Sequence, residues 1–293
     1  MNNGESTRQP RIALALGSGS ARGLAHIGVI RGLIEIGIEP SIVCGTSIGA
    51  LVGGAYASGH IEELDTWFAH MSATDVFRYL DINPLLRGGV GRAKRLIEKL
   101  REHFGSPRIE ELPLRYAAVA TDLGNGRELW IRDGDLWDAV RGSIAIPGLL
   151  SPARVDGHWV VDGGLVNPVP VSACRALGAD LIIAVNLNST LSSRSRARAS
   201  QNGNAEGAGR SPGVEEEAPG IFTVIANAIN IMQDRITRSR LSGEPADVMI
   251  APRLVDIGLL DFESAAQAIE AGRSEVRQSR ALIEEAVINC MPI

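Results

Sequence analysis

The chain has 293 residues, 45% of them hydrophobic but only 4% aromatic, so a core large enough for an α/β domain must rest on Leu, Ile, Val and Ala. Its formal charge of −5 argues against nucleic acid as a main partner, and an arginine bias that leaves Lys94 and Lys99 as the only lysines carries no binding signal of its own. Three scattered cysteines (Cys44, Cys174, Cys290) exclude a disulfide framework or a cysteine-rich zinc site and fit a reducing compartment.

Residues 1–10 are polar, lack the apolar core of a signal peptide and are expected to be disordered. Apolar runs then alternate with amphipathic stretches, the pattern of a β/α fold. IALAL (12–16) reads as a short buried strand, GSGSARG (17–23) as a glycine-rich turn and 24–36 as a helix. A second strand is expected at 41–44, followed by helices at 48–57, 61–70 and 92–104. Strands follow at 114–121 and 128–131, then a short helix at 136–142. Two more strands, 159–161 and 181–185, enclose a helix at 171–177. The segment 188–219 is rich in Ser, Gly, Ala and charge and cannot bury enough surface to offset its ordering entropy. It is expected to be a mobile loop inside one domain, with Arg194, Arg196 and Arg198 as a solvated linker rather than a lipid contact. Helices at 221–241 and 264–288 flank a last short strand at 247–250. The longest apolar runs fall far short of the ~20 residues that a membrane-spanning helix needs, and the expected location is cytoplasmic.

GTSIG (45–49) sets Ser47 between Gly45 and Gly49 where a strand meets a helix. A serine hydroxyl is a poor nucleophile until a base takes its proton. A G-x-S-x-G elbow exposes the serine on a tight turn, where the glycines accept crowding and unusual dihedrals. The following helix N-terminus would favour an oxyanion or alkoxide. The same five residues also suit a βα turn of structural importance only. An α/β-hydrolase would place an acid and then a histidine after the serine. The histidines here are His26, His60, His70, His103 and His158. His60, His70 and His103 belong to polar helical stretches and read as solvated, and His158 sits in a turn-like hairpin, VDGHWVVDGG.

Asp162, in VVDGGLVNPVPV, is a better base candidate, because Gly163 and Gly164 leave it on a tight, accessible turn after a strand. It is ionised at neutral pH, and burial would raise its pKa above the usual ~3.9. One carboxylate within hydrogen-bond reach of a serine can act as base and then as acid to the leaving alcohol. A plain D-G-G turn is the structural alternative. The backbone N–H groups of GSGSARG can bind an anion, either a nucleotide phosphate or a tetrahedral oxyanion. A dinucleotide fingerprint would need glycine where Arg22 stands and an acid closing the second strand, and a Walker loop would need Lys-Ser/Thr after the glycines. An oxyanion hole built from Gly17, Ser18, Gly19 and Ser20 fits better, with Arg22 anchoring the loop or adding positive potential.

In this order, LALGSGSARGLAHIGVI, VCGTSIGALVGGAYASG and GSIAIPGLLSPARVDGHWVVDGGLVNPVPV resemble the patatin-like phospholipase family, and most of all its bacterial branch related to the neuropathy target esterase catalytic domain. The likeness covers 12–186 and continues more loosely through DVMIAP and the DF-containing C-terminal helix. It implies a patatin-like three-layer α/β/α fold with a mostly parallel central sheet. It also implies a single domain over 11–290, made of core motifs, the 188–219 loop and a helical part at 220–290. The site it implies is a Ser47–Asp162 dyad without histidine, metal or cofactor. The reaction is hydrolysis of acyl esters of phospholipids, lysophospholipids or related lipids, with acyl transfer to an alcohol as a variant of the same chemistry. A lipid substrate requires transient contact with a membrane surface, here its inner face. The family loop reads G-G-G-x-R-G and aligns with 18–23, so serine replaces glycine at Ser18 and Ser20. Backbone donors survive that change, but the space narrows and the freedom of glycine at φ > 0 is lost. The same change favours the alternative of a regulatory or scaffolding protein without turnover. Apolar residues at 82–86 or 144–150 would line an acyl pocket or belong to the core.

Overall fold

A computed structural model of the chain describes residues 9–81, 91–189, 221–258 and 261–291. Residues 1–8 of the tail expected at 1–10, the candidate pocket lining at 82–86 and residues 190–219 of the loop expected at 188–219 lie outside the described residues, whereas Asn188, at the start of that loop, is buried and accepts from Arg22. Among the described residues eight strands form one sheet in the order β5-β6-β3-β2-β1-β7-β8, with β4 also paired to β3. They are β1 (Ile12–Leu16), β2 (Ile42–Thr46), β3 (Arg115–Asp122), β4 (Glu128–Ile131), β5 (Ala153–Val155), β6 (His158–Asp162), β7 (Leu181–Val185) and β8 (Val248–Ile250). The run β3-β2-β1-β7-β8 is parallel, while β4, β5 and β6 join antiparallel at the β3 end. β1, β2 and β7 are buried along their whole length, as strands covered on both faces must be, and this is why they read as unbroken apolar runs.

The helices are α1 (Ala25–Glu35), α2 (Ile48–Ala57), α3 (Ile61–Ala69), α4 (Ala73–Tyr79), α5 (Lys94–Phe104), α6 (Leu136–Ser143), α7 (Val171–Ala176), α8 (Ile221–Gly243) and α9 (Ala265–Cys290). Strand alternation sends Leu14, Leu16 and Val43 into a cluster with Ile30 of α1, Leu51 of α2 and Val276 of α9. Ala13, Ala15, Cys44 and Ile182 point the other way, to Cys174 of α7 and Leu241 of α8. The result is three layers, helices on both faces of a mostly parallel sheet. Among the described residues no helix is long and apolar enough to cross a membrane.

Two elements lie outside the expectations from the sequence. α4 spans seven residues behind a Ser72–Asp75 capping box, and β5 has three residues completing a hairpin with β6. The helix expected from 92 starts at Lys94, after Ala93 in a left-handed conformation (φ 51°). Leu24, expected to open the 24–36 helix, instead closes a separate 3₁₀ turn over Ser20–Leu24, and the α-helix starts at Ala25. In parallel sheets, ligands gather beyond the C-terminal strand ends, and β1, β2 and β6 each end at one of the three sequence motifs.

Candidate active site

β2 ends at Thr46 and α2 starts at Ile48, which leaves Ser47 alone in the turn. Its backbone sits at φ 57°, ψ −124°, a region that non-glycine residues rarely adopt. Gly45 and Gly49 are needed for a different reason. A Cβ on Gly45 would lie 2.3 Å from the Gly49 carbonyl oxygen, and one on Gly49 would lie 2.1 Å from that of Leu16. The unusual dihedrals expected of the flanking glycines thus fall on the serine itself, and the glycines provide only closeness. The Ser47 N–H donates to Ser143 Oγ (2.9 Å), whose own hydroxyl donates to the Val119 carbonyl (2.6 Å). Ser143, at the buried end of α6, is a support that no spacing in the sequence announces.

Asp162 is the last residue of β6 and is 2% exposed. Its Oδ2 accepts from Ser47 Oγ at 2.5 Å, and its Oδ1 accepts from the Gly164 N–H at 2.7 Å. Thr121 Oγ1 holds its carbonyl (2.8 Å), and its N–H donates to Ala145 (3.0 Å). A Cβ on Gly163 would collide with the Val119 carbonyl oxygen at 2.2 Å, so the D-G-G turn can close against β3 only without that side chain. Burial lifts the Asp162 pKa from the usual 3.8 to about 6, while the hydrogen bonds from Ser47 and Gly164 pull it partly back. His158 is turned elsewhere, with its Nδ1 on Asp122 Oδ2 at 2.9 Å and its side chain half-exposed.

The glycine loop narrows the five oxyanion candidates. The Gly17 N–H is committed to Val185 O (3.1 Å) and the Ser18 N–H to Pro168 O (2.8 Å), so neither is a free donor. The Ser18 hydroxyl donates to Gln233 Oε1 (2.9 Å). Arg22 does not line the cavity described below; it donates from Nε to Ile257 O (2.9 Å) and from Nη1 to Asn188 Oδ1 (3.4 Å), which makes it an anchor of the loop. Gly19 and Ser20 remain, and neither N–H has an acceptor among the described residues. His26, fully buried, braces the loop from below: its Nε2 donates to Gly17 O (2.7 Å), and burial lowers its pKa to about 4, so the ring is neutral.

Of the two serines in glycine positions, only Ser20 needs left-handed backbone (φ 52°). That conformation costs a non-glycine residue roughly 1 kcal/mol. Ser20→Gly is therefore expected to hold or raise stability in urea unfolding, by up to ~1 kcal/mol, and to widen the loop. A clear loss of stability would show that the Ser20 side chain is itself a support.

Ser20 and Ser47 share the wall of a cavity that is partly open to solvent. The rest of its lining is almost wholly apolar, including Leu51, Phe68, Leu96, Leu149 and Phe262. Of the two expected walls, 144–150 contributes Ile144, Ile146, Leu149 and Leu150. On the other side of the acid turn, Arg240 of α8 clamps it by donating to Val166 O (2.7 Å) and to Glu128 Oε2 (2.7 Å). Asn167 completes the clamp, bonding Glu128 Oε1 through Nδ2 (2.6 Å) and accepting from Thr46 Oγ1 through its carbonyl (2.8 Å).

Residues 14–175 match the family model described as patatin-like phospholipase. An uncharacterized NTE family protein of Mycobacterium bovis is 34% identical, over 92% of this chain and 91% of that protein. Patatin-like phospholipase domain-containing protein 6 of Homo sapiens is 36% identical over 61% of this chain, a stretch that makes up 13% of the human protein. The crystal structure of VipD from Legionella pneumophila aligns with a TM-score of 0.49 at 16% identity, over 95% of this chain and 67% of that one, a likeness too distant to add to the sequence relatives.

Proposed function

The chain belongs to the patatin-like phospholipase family, and from that membership we propose that it hydrolyses acyl esters of phospholipids, lysophospholipids or related lipids, with Ser47 as nucleophile and Asp162 as its base. The observation that carries this reading is the 2.5 Å hydrogen bond from Ser47 Oγ to Asp162 Oδ2 at the wall of an apolar cavity. Asp162 takes the hydroxyl proton as Oγ attacks the acyl carbonyl carbon. The oxygen of the tetrahedral intermediate turns to the N–H groups of Gly19 and Ser20, helped by the positive end of α2. Collapse expels the alcohol, which leaves with the proton held by Asp162. Water then attacks the acyl-enzyme, Asp162 takes its proton, and Ser47 departs with that proton as the free acid forms. The apolar lining suits an acyl chain and offers little to a charged substrate.

Burial of Asp162 sets it near the working pH, where a general base is most effective. With a neutral ester, kcat/KM should climb about tenfold per pH unit in acid and level off above about 6, as Asp162 loses its proton. A flat profile through that range would remove Asp162 as the base. The direct test of the reaction is release of fatty acid from a lysophospholipid and from soluble esters of graded chain length. Rates rising with acyl length are expected, and no release from any ester by folded protein would refute the reading. The scaffold alternative rests on the serines of the glycine loop, yet the Ser18 hydroxyl is tied to Gln233 and only Ser20 reaches the cavity.

A further inference from the structure

Residues 221–232 of α8, IFTVIANAINIM, contain no charged side chain. An uncharged and largely apolar stretch of helix normally lies in a core or in lipid. Here, among the described side chains from Val224 to Met232, none is buried, and Ile231 is 63% exposed. The place of this half-helix follows from its neighbours. Gln233 meets Ser18 of the glycine loop, and Arg240, two turns on, meets the acid turn from beneath. The apolar half therefore runs outward past the C-terminal edge of the sheet, for about 18 Å at 1.5 Å per residue. It passes the cavity wall on the way, where a Cβ on Gly148 would find Ile225 at 3.5 Å.

A second apolar projection leaves the same edge. β3 continues to Asp122, three residues beyond Val119, the partner of Thr46, and Leu123 donates from its N–H to Trp159 O (2.8 Å). Leu123 and Trp159 are 54% and 55% exposed, and the Arg154 guanidinium lies 5.8 Å from the Trp159 ring centroid. An aromatic ring with a cation over it is the pairing that settles at a lipid–water boundary.

We propose that the outer half of α8, together with Leu123 and Trp159, docks the protein on a phospholipid bilayer with the Ser47 cavity facing the lipid. On the α8 side the surface adjoins, through Ile225 and Gly148, the wall of the cavity that holds Ser47, and the first acid of α8, Asp234, is already paired with Arg238. The chain's own 190–220 segment brings only Leu191 and Val214 as large apolar residues, too few to cover such a surface. The choice of lipid as partner rests on the lipid-ester reading above, whereas the test reads binding and not turnover.

The test is flotation with vesicles of phosphatidylcholine and phosphatidylglycerol, comparing the full chain with the double variant Ile231→Glu/Met232→Glu and with Trp159→Ala. Wild-type protein is expected to float with the vesicles, and the double variant to partition at least about tenfold less, a change of about 1.4 kcal/mol. Trp159→Ala should fall between them. All three should hydrolyse a soluble short-chain ester equally, and matching circular dichroism and thermal melts show that they are folded independently of turnover. Equal flotation of wild type and double variant overturns the proposal. So does a wild type that hydrolyses soluble esters yet never floats, or a dimer that the double variant dissociates, since the surface would then belong to a second copy. Vesicle binding lost in the double variant, with no ester hydrolysed by any form, would support docking while refuting the hydrolase reading.

Discussion

Replacing Ser47 by alanine or by glycine is expected to abolish ester hydrolysis, with a loss of about four orders of magnitude or more, and the glycine variant is expected to be the more stable of the two. Both substitutions remove the same hydroxyl and the same hydrogen bond to Asp162. They differ only in what they require of the backbone. At ordinary positions alanine outranks glycine by roughly 0.4–1 kcal/mol, because glycine loses more freedom on folding. At φ 57°, ψ −124° the order inverts, since a Cβ there carries strain of about 1–3 kcal/mol. The turn survives in the native chain because Ser143 holds the Ser47 N–H and α2 starts at the next residue. Urea unfolding of the two variants reads the difference directly. An alanine variant more stable than the glycine variant would mean that the elbow is relaxed, and that strain has no part in presenting the hydroxyl.

Asp162→Asn is expected to lose about two to four orders of magnitude in rate and to gain stability over wild type at alkaline pH. A carboxyl raised by folding from the usual 3.8 to about 6 favours the folded state in its protonated form. That contribution is complete below about 3.8 and is lost as pH rises through about 6. A shift of about two units corresponds to about 3 kcal/mol. Asparagine cannot ionise, keeps an oxygen for the Gly164 N–H and fills the same space. The stability gap between variant and wild type should thus open as pH rises and close in acid. A wild type that stays more stable than the variant at alkaline pH would show that the hydrogen bonds from Ser47 and Gly164 outweigh the burial of the charge.

The parts of the site that are local in sequence are legible from it. A strand running into Ser47 and a helix running out require only the apolar run before and the small, apolar run IGALVGGAYA after, and WVVD likewise marks the strand that ends at Asp162. Long-range braces leave no such trace. Ser143 reaches Ser47 across 96 positions of chain, and Gln233 reaches Ser18 across 215. Their residue types are ordinary in the helices that carry them. The glycine loop shows the same limit. Which N–H groups are free depends on the carbonyls of Val185 and Pro168, which tertiary packing alone brings against Gly17 and Ser18. The flanking glycines of the elbow are legible as necessary, but their reason is steric, and the strained dihedrals belong to the residue between them.

The most direct measurement is labelling of the folded protein with a fluorophosphonate, which forms an adduct only with an activated serine, followed by mapping of the modified peptide. Ser47 as nucleophile and Asp162 as base predict one adduct, on Ser47, absent from Ser47→Ala and lost or greatly slowed in Asp162→Asn. A folded wild type that takes no label, or an Asp162→Asn variant that labels as fast as wild type, would contradict that assignment.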